Sequence, residues 1–446
     1  MKLRIIWWIA AGVFLAMLCA ILFVIPRTDT LSLWSAWTVL WGSFGFMIWE
    51  HLQKSAVPLS WIVALAILAR VLASTSLPSL SDDYFRFVWD GRLWTHGINP
   101  FMEVPSFYMQ DPALAARSGL SQALFDGLNS PEFFTIYPPI LQGIFALSAW
   151  IFPNNIYGAV LIMKLFLFLG EMMSLYLLYQ LLRAWSLPLS RWILYALNPL
   201  IVLETIGNVH FEGLMIAFLL AFLWLLHQKR MGWAAAAFAM AVCTKLLPLM
   251  FMPLLLRRLG WRQSVIFGLL VGGLCVFMFL PIFDRATLLH MLDSVDLYFS
   301  KFEFNASLWY LIRETIQYEN LLTIVGPYLG IATVLLILVY TFVETQPTLI
   351  NLPRAMMWTL GIYVLFASIV HPWYLTTLVA MSMFTTYRWP LFWGFIVAIT
   401  YATYRVIPYD EWMLGVLIEY VAVIIWLLIR PEKRFLLLNN DSGKEK

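Results

Sequence analysis

The chain has 446 residues, of which 62% are hydrophobic and 12% charged, with a formal net charge of +3. This apolar content exceeds that of ordinary soluble domains and predicts a polytopic membrane protein. The small net charge, with basic residues scattered over short segments, argues against nucleic acid as a partner. Cys19, Cys243 and Cys275 lie in apolar stretches, so neither a disulfide framework nor a zinc site is expected.

Apolar segments of about 20 residues, the length that crosses a bilayer, recur along the chain. They predict an all-α bundle of roughly 12 to 14 transmembrane helices of the kind that hydropathy identifies. The longer segments are 5–25, 31–50, 56–75, 156–182, 208–227, 263–283, 321–343, 354–370, 389–406 and 412–430. Shorter apolar pieces lie at 138–152, 190–205, 232–244, 246–256 and 372–386.

Two long polar segments, 76–136 and 284–320, are predicted to form short amphipathic helices at the membrane surface. We expect both on the extracytoplasmic side, because most basic residues of the other loops then share the cytoplasmic side. Those residues are Lys2, Arg4, Lys54, Lys229, Arg230, Arg257, Arg258, Arg262, Arg354, Arg388, Arg430, Lys433 and Arg434. Arg183 and Arg191 fit this orientation only if 138–152 does not fully cross, and the sequence leaves that open.

The same pattern suggests a division of the chain into four parts. Residues 1–55 form a hairpin of two spans, and residues 56–285 form a larger transmembrane module that includes the loop 76–136. Residues 286–430 form a C-terminal membrane module, and residues 431–446 form a cytoplasmic tail. The expected location is the plasma (inner) membrane, with multiple spans and with the active site on the extracytoplasmic face.

The stretch "SDDYFRFVWDGRLWTHGINPF" at 81–101 is unusually rich in charge for this chain. Asp82, Asp83, Arg86, Asp90 and Arg92 fall within eleven residues. If the stretch is helical, Asp83, Arg86 and Asp90 share one face. A carboxylate packed among aromatic residues where a span emerges can act as a general base toward a hydroxyl, which suits glycosyl transfer. The alternative is a solvated loop beside a span end.

Further polar residues interrupt or flank later apolar segments, at ends that would face the same side. They are Tyr137 and Gln142 in "TIYPPILQ", Glu204, Asn208, His210 and Glu212 in "NPLIVLETIGNVHFEG", Lys245 in "CTKLLPLMFMP", and His371, Trp373 and Tyr374 in "SIVHPWYLTT". Ionisable residues at membrane depth are candidates for function, with structural pairing as the alternative. For Lys164 and Glu171, two turns apart in one span, we expect a packing pair.

In this order, the motifs resemble the polytopic GT-C glycosyltransferases, in particular bacterial mannosyltransferases that use polyprenyl-phosphate sugars. The similarity runs over roughly 60–386, and the motif at 81–101 is the most specific part. The resemblance implies a GT-C-type fold and transfer of a hexose, expected to be mannose, from a polyprenyl-phosphate donor to a lipid or glycan acceptor. Its other expected partners are membrane lipids.

The resemblance also implies residue roles. GT-C enzymes carry an essential acidic residue on the first external loop, where Asp82 and Asp83 stand, although many relatives have a separated acidic pair there. Which of the two is the base stays open from the resemblance, while the shared face with Arg86 favours Asp83. Residues expected to bind substrate are Arg86, Asp90, Arg92, Asn99, Tyr137, Gln142, Asn208, His210, Glu212, Lys245, His371, Trp373 and Tyr374, with Lys245, His210 and His371 at the donor phosphate.

No cofactor motif and no dedicated metal site can be read from the sequence. A divalent cation, Mg²⁺ or Mn²⁺, that bridges the phosphate and Asp82 remains an open alternative. Two other functions also compete. A transporter or flippase of lipid-linked sugars predicts an internal repeat, which we do not find, and a polysaccharide polymerase or ligase fits poorly with so early a charged loop.

Overall fold

The computed structural model describes residues 2–53, 57–316, 318, 320–406 and 409–429. Within these ranges the chain consists of helices joined by loops. Four of the basic residues used above, Lys54, Arg430, Lys433 and Arg434, lie outside the described residues. The predicted cytoplasmic tail 431–446 lies outside them as well.

The first half of the chain forms twelve α-helices in the described residues, several of them too short to cross a membrane. They are α1 (Lys2–Phe23), α2 (Thr30–Leu52), α3 (Leu59–Thr75), α4 (Asp83–Thr95), α5 (Pro105–Tyr108), α6 (Pro112–Arg117), α7 (Gln122–Asp126), α8 (Pro139–Ile151), α9 (Ile156–Ala184), α10 (Ser190–Ala196), α11 (Pro199–Ile201) and α12 (Glu212–His227). Helix α11 continues into a π-helical turn, Val202–Gly207. Helices α4 to α7 lie in the predicted long loop 76–136, so this loop is helical in part as expected.

The second half begins with helices of 14 and 8 residues and ends with one of 17 residues. Its helices are α13 (Met231–Thr244), α14 (Met252–Leu259), α15 (Trp261–Phe279), α16 (Arg285–Ser300), α17 (Leu308–Ile316), α18 (Leu321–Val343), α19 (Leu352–Phe366), α20 (Leu375–Ser382), α21 (Trp389–Ile396) and α22 (Met413–Ile429). Short 3₁₀ turns lie at Leu247–Phe251, Leu280–Ile282, Pro372–Tyr374 and Val397–Arg405.

Five of the described helices, α1, α2, α9, α15 and α18, are long and apolar enough to cross a membrane, and a bent pair makes six. The prediction of an all-α polytopic membrane protein is therefore confirmed. The count of roughly 12 to 14 spans stays a prediction, because it requires several shorter apolar helices to cross as well. Helix α8 has 13 residues, or about 20 Å, against a hydrocarbon core of about 30 Å.

The bent pair consists of two helical segments separated by a short break, a geometry found in broken spans and in re-entrant loops, and it is called the broken span below. The segment Ser190–Gly207 and helix α12 meet at 114°. Lys164, fully buried on α9, donates to the carbonyl of Gly207 at the break (2.9 Å) and to that of Ala73 at the end of α3 (2.8 Å). A cation beside the last carbonyls of a helix satisfies groups that no intrahelical bond can reach and opposes the negative end of the helix dipole.

The expected pairing of Lys164 with Glu171 is wrong. Glu171 forms a fully buried ion pair with Arg70 of α3 (2.9 Å) and accepts a hydrogen bond from the hydroxyl of Tyr195 (2.8 Å). Spacing along α9 puts Lys164 and Glu171 on one face, but each meets a different neighbouring segment. Each buried charge is compensated by hydrogen bonds across helices, as the low-dielectric interior requires.

Helix α4 packs closely on α8. At Gly91 a β-carbon would collide with the backbone carbonyl of Phe145, so only glycine allows this approach of the two helices. Beside it lies a buried hydrogen-bond network: Arg86 donates to Asp90 (2.9 Å), and Asp90 also accepts from Gln142 of α8 (3.0 Å). This network fixes the orientation of α4, the helix that begins at Asp83.

Several basic loops gather at one end of the bundle. Trp185, which lies between Arg183 at the end of α9 and Arg191 in α10, donates to His227 at the end of α12 (3.2 Å) and has its ring 5.2 Å from that of Phe384. Segments 183–191, 227–230 and 383–388 are thereby neighbours. Arg191 also donates to the carbonyl of Met383 (3.5 Å), so Arg183 and Arg191 lie near the other basic segments.

The N-terminal pair of helices packs against the C-terminal part of the chain. Trp34 and Trp37 of α2 donate to the carbonyls of Ala398 and Phe395, both at 2.8 Å. The second long loop is tied in by a parallel bridge between Phe304 and Ile369. Segments far apart in sequence therefore meet around the loop that carries Asp82 and Asp83.

Candidate functional site

Asp83 is the first residue of α4, and its side chain is partly open, with 22% of its surface exposed. Its backbone N–H donates to the hydroxyl of buried Ser81 (3.3 Å). The side-chain amide of Asn129, from the other end of the same loop, donates to Oδ1 at 2.8 Å. Oδ2 lies 4.0 Å from Nε2 of His210. Asp83 is thus held on one oxygen by Asn129, while the other faces an imidazole.

Asp82, the residue before α4, is engaged differently. It forms an ion pair with Arg27, which lies in the loop between α1 and α2. The guanidinium of Arg27 also donates to the hydroxyl of Tyr409 (2.8 Å) and lies 4.6 Å from the centre of the Tyr404 ring. Among the described residues, Asp83 has no such arginine or lysine partner. The two neighbouring carboxylates are therefore distinguished by their contacts.

His210 follows the break in the span and lies between two carboxylates. Its Nδ1 is 3.0 Å from Oε2 of Glu204, and its Nε2 faces Asp83. The preceding residue, Val209, has φ of +62°, a left-handed conformation that is strained for a β-branched side chain. Backbone strain of this kind is common at functional sites. The strained backbone at Val209 and the π-helical turn together bring the side chains of Glu204 and His210 next to each other.

Three aromatic rings form a stack beside Asp83. The His210 ring lies 3.7 Å from that of Trp373, which in turn lies 4.2 Å from the ring of His371. Burial lowers the pKa of His371 to about 3, and the nearby His210 and Lys245 add to this effect. His371 is therefore neutral at physiological pH. It can donate or accept a hydrogen bond there, but it does not supply a positive charge.

The cation of this cluster is Lys245, which caps the end of α13. Its ammonium group forms an ion pair with Glu212, the first residue of α12, and lies 4.5 Å from the ring centre of Tyr374. The lysine side chain is 34% exposed, whereas Glu212 is almost fully buried. Lys245 is therefore accessible from outside, and Glu212 neutralises its charge in this structure.

Below Asp83, aromatic side chains of α4, α8 and the broken span pack together. The rings of Phe87 and Tyr137 lie 4.9 Å apart, and those of Phe87 and Phe145 lie 4.7 Å apart. Phe211, next to His210, packs on both phenylalanines. Tyr137 is thus part of the aromatic packing between α4 and α8, next to the polar cluster around Asp83.

Five of the expected substrate-binding residues, Arg86, Asp90, Arg92, Asn99 and Gln142, form hydrogen bonds with other protein groups. Arg86 donates to Asp90 and to the carbonyls of Ser130 and Phe133, so the residue that orients Asp83 is Asn129, not Arg86 as the shared helical face suggested. Gln142 bridges Asp90 and the indole of Trp94, Arg92 donates to the carbonyl of Gly119, and Asn99 donates to Thr287 at the start of α16.

Asn208 also has a structural partner. Its side-chain oxygen accepts from the backbone N–H groups of Ser79 (3.2 Å) and Leu80 (3.0 Å). This contact ties the broken span to the start of the acidic loop. It explains how Asp83 and His210, 127 positions apart in the printed sequence, come to face each other.

Sequence reasoning missed Arg27, Asn129 and the hydroxyl of Tyr401, and it mentioned Glu204 only as a polar break. Arg27 had a usable signal: it stands beside Pro26 and Asp29 just after the first span, on the side assigned to the acidic loop. Tyr401 is buried and donates to Glu204. Nothing in its local sequence distinguishes it from other tyrosines at span ends.

A metal site of protein ligands does not stand out. The described part of the chain contains no group of three or more His, Cys, Asp or Glu residues close enough to hold a metal ion. The cation that meets Asp82 is the guanidinium of Arg27. These contacts involve protein groups only, and a divalent cation that arrives bound to the donor phosphate would be part of the substrate.

The fold and the cluster define a class: an all-helical, polytopic membrane protein with carboxylates and a lysine gathered at span ends. A family model described as the N-terminal domain of alpha-(1->6)-mannopyranosyltransferases matches residues 4–259, more than half of the chain. The chain belongs to this family. A search of curated proteins found no match.

Family membership confirms the resemblance to GT-C mannosyltransferases and makes the protein a glycosyltransferase of the membrane. The matched residues include Asp82, Asp83, His210 and Lys245, whereas His371 lies beyond them. A sugar donor and a lipid or glycan acceptor follow from this class of reaction. The family therefore does not support an assignment as a transporter, a flippase or a polymerase.

Proposed function

We propose that the protein transfers mannose from a polyprenyl-phosphate donor to a hydroxyl of a lipid or glycan acceptor at the extracytoplasmic face of the plasma membrane. One observation carries the proposal: Asp83 has a partly open carboxylate with no arginine or lysine partner in the described residues, beside a cluster that contains Lys245. Glycosyl transfer from a phosphate needs both a base for the hydroxyl and a positive charge for the leaving group.

In this mechanism the hydroxyl oxygen of the acceptor attacks C1 of the sugar. Its electron pair forms the new glycosidic bond, the electron pair of the old C1–O bond leaves with the phosphate, and Asp83 takes the hydroxyl proton. Lys245 stabilises the negative charge that grows on the phosphate. Its present partner Glu212 would exchange for the phosphate when the donor binds. Neutral His371 would supply a hydrogen bond.

The description of the family supports a choice of acceptor. Its members are described as alpha-(1->6)-mannopyranosyltransferases, so we propose a terminal mannose with a free 6-hydroxyl as the acceptor group. A primary hydroxyl is the least hindered on the sugar ring, and one base suffices to activate it. The prenyl chain of the donor would lie in the bilayer beside the exposed apolar helix faces.

The distribution of basic residues supports the proposed orientation. Arg258 at the end of α14 pairs with Glu344 (2.7 Å), and Arg354 at the start of α19 lies 3.9 Å from the same carboxylate, so these basic residues are neighbours. Lys229 and Arg230 precede α13, while Lys245 follows it. If the basic loops face the cytoplasm, Lys245 and the acidic cluster face outward.

We further propose that all three membrane sections of the chain contribute to the site. Residues 56–285 would supply Asp83 and Lys245, the hairpin 1–55 would supply Arg27, and the section 286–430 would supply His371. The four-part division from the sequence then describes the order of the chain and not separately active units.

The test is transfer of labelled mannose by the purified full-length chain in detergent. Polyprenyl-phosphate mannose and a nucleotide-linked mannose are offered as donors, with an α-(1→6)-mannan oligosaccharide as acceptor. We expect product with the polyprenyl donor alone and none with Asp83→Asn. Asp111→Asn is the matched control, because Asp111 is exposed in the same loop and Asn caps a helix as well as Asp does. Transfer from the nucleotide donor alone would overturn the proposal.

A further inference from the structure

Glu204 is a fully buried carboxylate that the mechanism above does not use. It lies on the π-helical turn Val202–Gly207, where the hydroxyl of Tyr401 donates to its Oε1. Its other oxygen, Oε2, is 3.0 Å from Nδ1 of His210. π-Helical turns are rare and are frequently found at functional sites.

The charge of Glu204 has few partners. In the described residues no arginine or lysine forms an ion pair with it, and the group opposite its Oε2 is the imidazole. A buried carboxylate is retained only where donors compensate it. Tyr401 supplies one donor, while Oε2 has no hydrogen bond within the described residues. Nδ1 of His210 is 3.0 Å from Oε2, so a proton on Nδ1 would supply the second donor. The arrangement therefore favours the His210 tautomer that carries its proton on Nδ1.

That tautomer leaves Nε2 as an acceptor, and Nε2 is the nitrogen that faces Asp83 across 4.0 Å. Both ring nitrogens are buried and lack a hydrogen bond of good geometry within the described chain. Contacts between catalytic groups are often long before substrate binds and shorten in the reacting complex.

We propose that Glu204, His210 and Asp83 form a proton relay, in which Glu204 is a positioning residue that keeps Nε2 of His210 free to take the proton from Asp83. This inference rests on the proposed function and changes the role expected of His210, from a ligand of the donor phosphate to the second proton acceptor.

The relay adds one step to the transfer. As the acceptor oxygen bonds to C1 and the phosphate leaves with its electron pair, the hydroxyl proton moves to Oδ2 of Asp83. The proton then passes to Nε2 of His210, and the resulting imidazolium lies between the carboxylates of Glu204 and Asp83. The proton leaves to solvent or to the phosphate product, which restores the starting state.

The surroundings of His210 fit this role. The ring of Trp373 covers one face of the imidazole, and an aromatic face stabilises a cation. Neutral His371 lies on the far side of that indole. The two cations near the cluster, Arg27 and Lys245, each carry their own carboxylate partner. The charges that His210 meets directly are therefore the two carboxylates of the relay.

The test is the variant Glu204→Gln. The single oxygen of an amide at this position would face the donor hydroxyl of Tyr401, so its NH₂ group would face Nδ1. Nδ1 must then be an acceptor, and the proton of the neutral ring moves to Nε2. The same acid-to-amide change in serine-protease triads costs about 10⁴-fold in kcat through the wrong tautomer. We expect a loss of about 10²–10⁴-fold here.

Two measurements read the relay separately. Nitrogen NMR of ¹⁵N-histidine-labelled full-length protein in detergent, assigned with His210→Gln, should find the proton of the neutral ring on Nδ1 in the wild type and on Nε2 in Glu204→Gln. Kinetics should find kcat lowered by Glu204→Gln with donor binding unchanged, and partly restored in Glu204→Asp. Glu50→Gln, another buried carboxylate, on α2, serves as control and should alter neither readout.

The outcomes separate the relay from the proposed function. An unchanged tautomer in Glu204→Gln, or a wild-type ring that carries its proton on Nε2, overturns the relay whether or not the protein transfers mannose. A changed tautomer with unchanged kcat overturns it too, because Nε2 would then have no part in the proton path. A wild-type protein that is inactive with every polyprenyl donor overturns the proposed function, while the NMR result still decides the arrangement of Glu204 and His210.

Discussion

Arg27 and Asp82 form an ion pair across 55 positions of the chain. The pair joins the loop after the first span to the acidic loop before α4. It also neutralises the first of two adjacent carboxylates and leaves the second, Asp83, to meet an imidazole. The different surroundings of Asp82 and Asp83 are the basis for assigning them different roles.

The variant Arg27→Gln should lower the rate of transfer about 10-fold without abolishing it, because Asp82 would lose the partner that fixes its side chain. A hydrogen bond to a charged group of this kind is worth about 1.5–3 kcal/mol. In Asp82→Asn the same partner is already lost, so adding Arg27→Gln should cost little more. A double-mutant cycle on kcat measures this. Fully additive losses in the double variant would show that the ion pair has no functional part.

Lys245→Ala should weaken donor binding about 10- to 150-fold, the equivalent of a charge-assisted hydrogen bond of about 1.5–3 kcal/mol. The substitution also leaves Glu212 buried without its cation. The double variant Lys245→Ala/Glu212→Gln removes that secondary cost. Equilibrium binding of a labelled donor to both variants is the measurement. Wild-type affinity in the double variant would refute the assignment of Lys245 to the phosphate.

His371 should make the folded protein sensitive to mild acid. Its pKa is lowered by burial to about 3 in the folded state, against about 6.5 when unfolded. The unfolded state therefore binds the proton first, and stability is complete above pH 6.5 and falls as the pH drops toward 3. The thermal midpoint in detergent should fall between pH 7 and pH 5, and fall less in His371→Phe. If the thermal midpoint fell equally in the wild type and in His371→Phe, His371 would not be the cause of the acid sensitivity.

The buried pair Arg70–Glu171 should be one of the most sensitive points of the fold. Glu171→Leu strands a buried guanidinium and should destabilise by about 3–5 kcal/mol. Arg70→Met together with Glu171→Leu replaces both charges by apolar groups and should recover most of that loss. Unfolding of the purified variants by heat, at one pH and in one detergent, provides the comparison. A double variant less stable than Glu171→Leu would run against this expectation.

The class of fold could be predicted from sequence because span length and loop charge are local properties. Hydropathy identified the long helices α1, α2, α9, α15 and α18, and the run of polar residues around His210 marked the broken span. The pairing of charges could not be predicted in the same way. Lys164 and Glu171 share a helical face, yet their partners lie on the broken span and α3, and only packing decides which neighbours meet.

The candidate site also combines features that local sequence predicts with features that only packing determines. The motif at 81–101 predicted a functional role for Asp82 and Asp83 from their position at a span end, and the helical face shared with Arg86 favoured Asp83 as the base. The same motif misassigned Arg86, because an i, i+3 spacing predicts which residues can meet along a helix and says nothing about the carbonyls of Ser130 and Phe133 that α4 finds in the loop. Glu204 and Tyr401 lie 197 positions apart, so no local pattern could connect them.

The claim that Asp83 is the general base is tested most directly by single-turnover transfer of labelled mannose in Asp83→Asn and Asp82→Asn, with donor binding measured on the same samples. A general base typically contributes about 10²–10⁴-fold in rate. We predict that Asp83→Asn binds donor normally and loses at least about 10²-fold in the transfer rate, while Asp82→Asn keeps residual activity. Near-normal transfer in Asp83→Asn would contradict the assignment, and loss in Asp82→Asn alone would exchange the two roles.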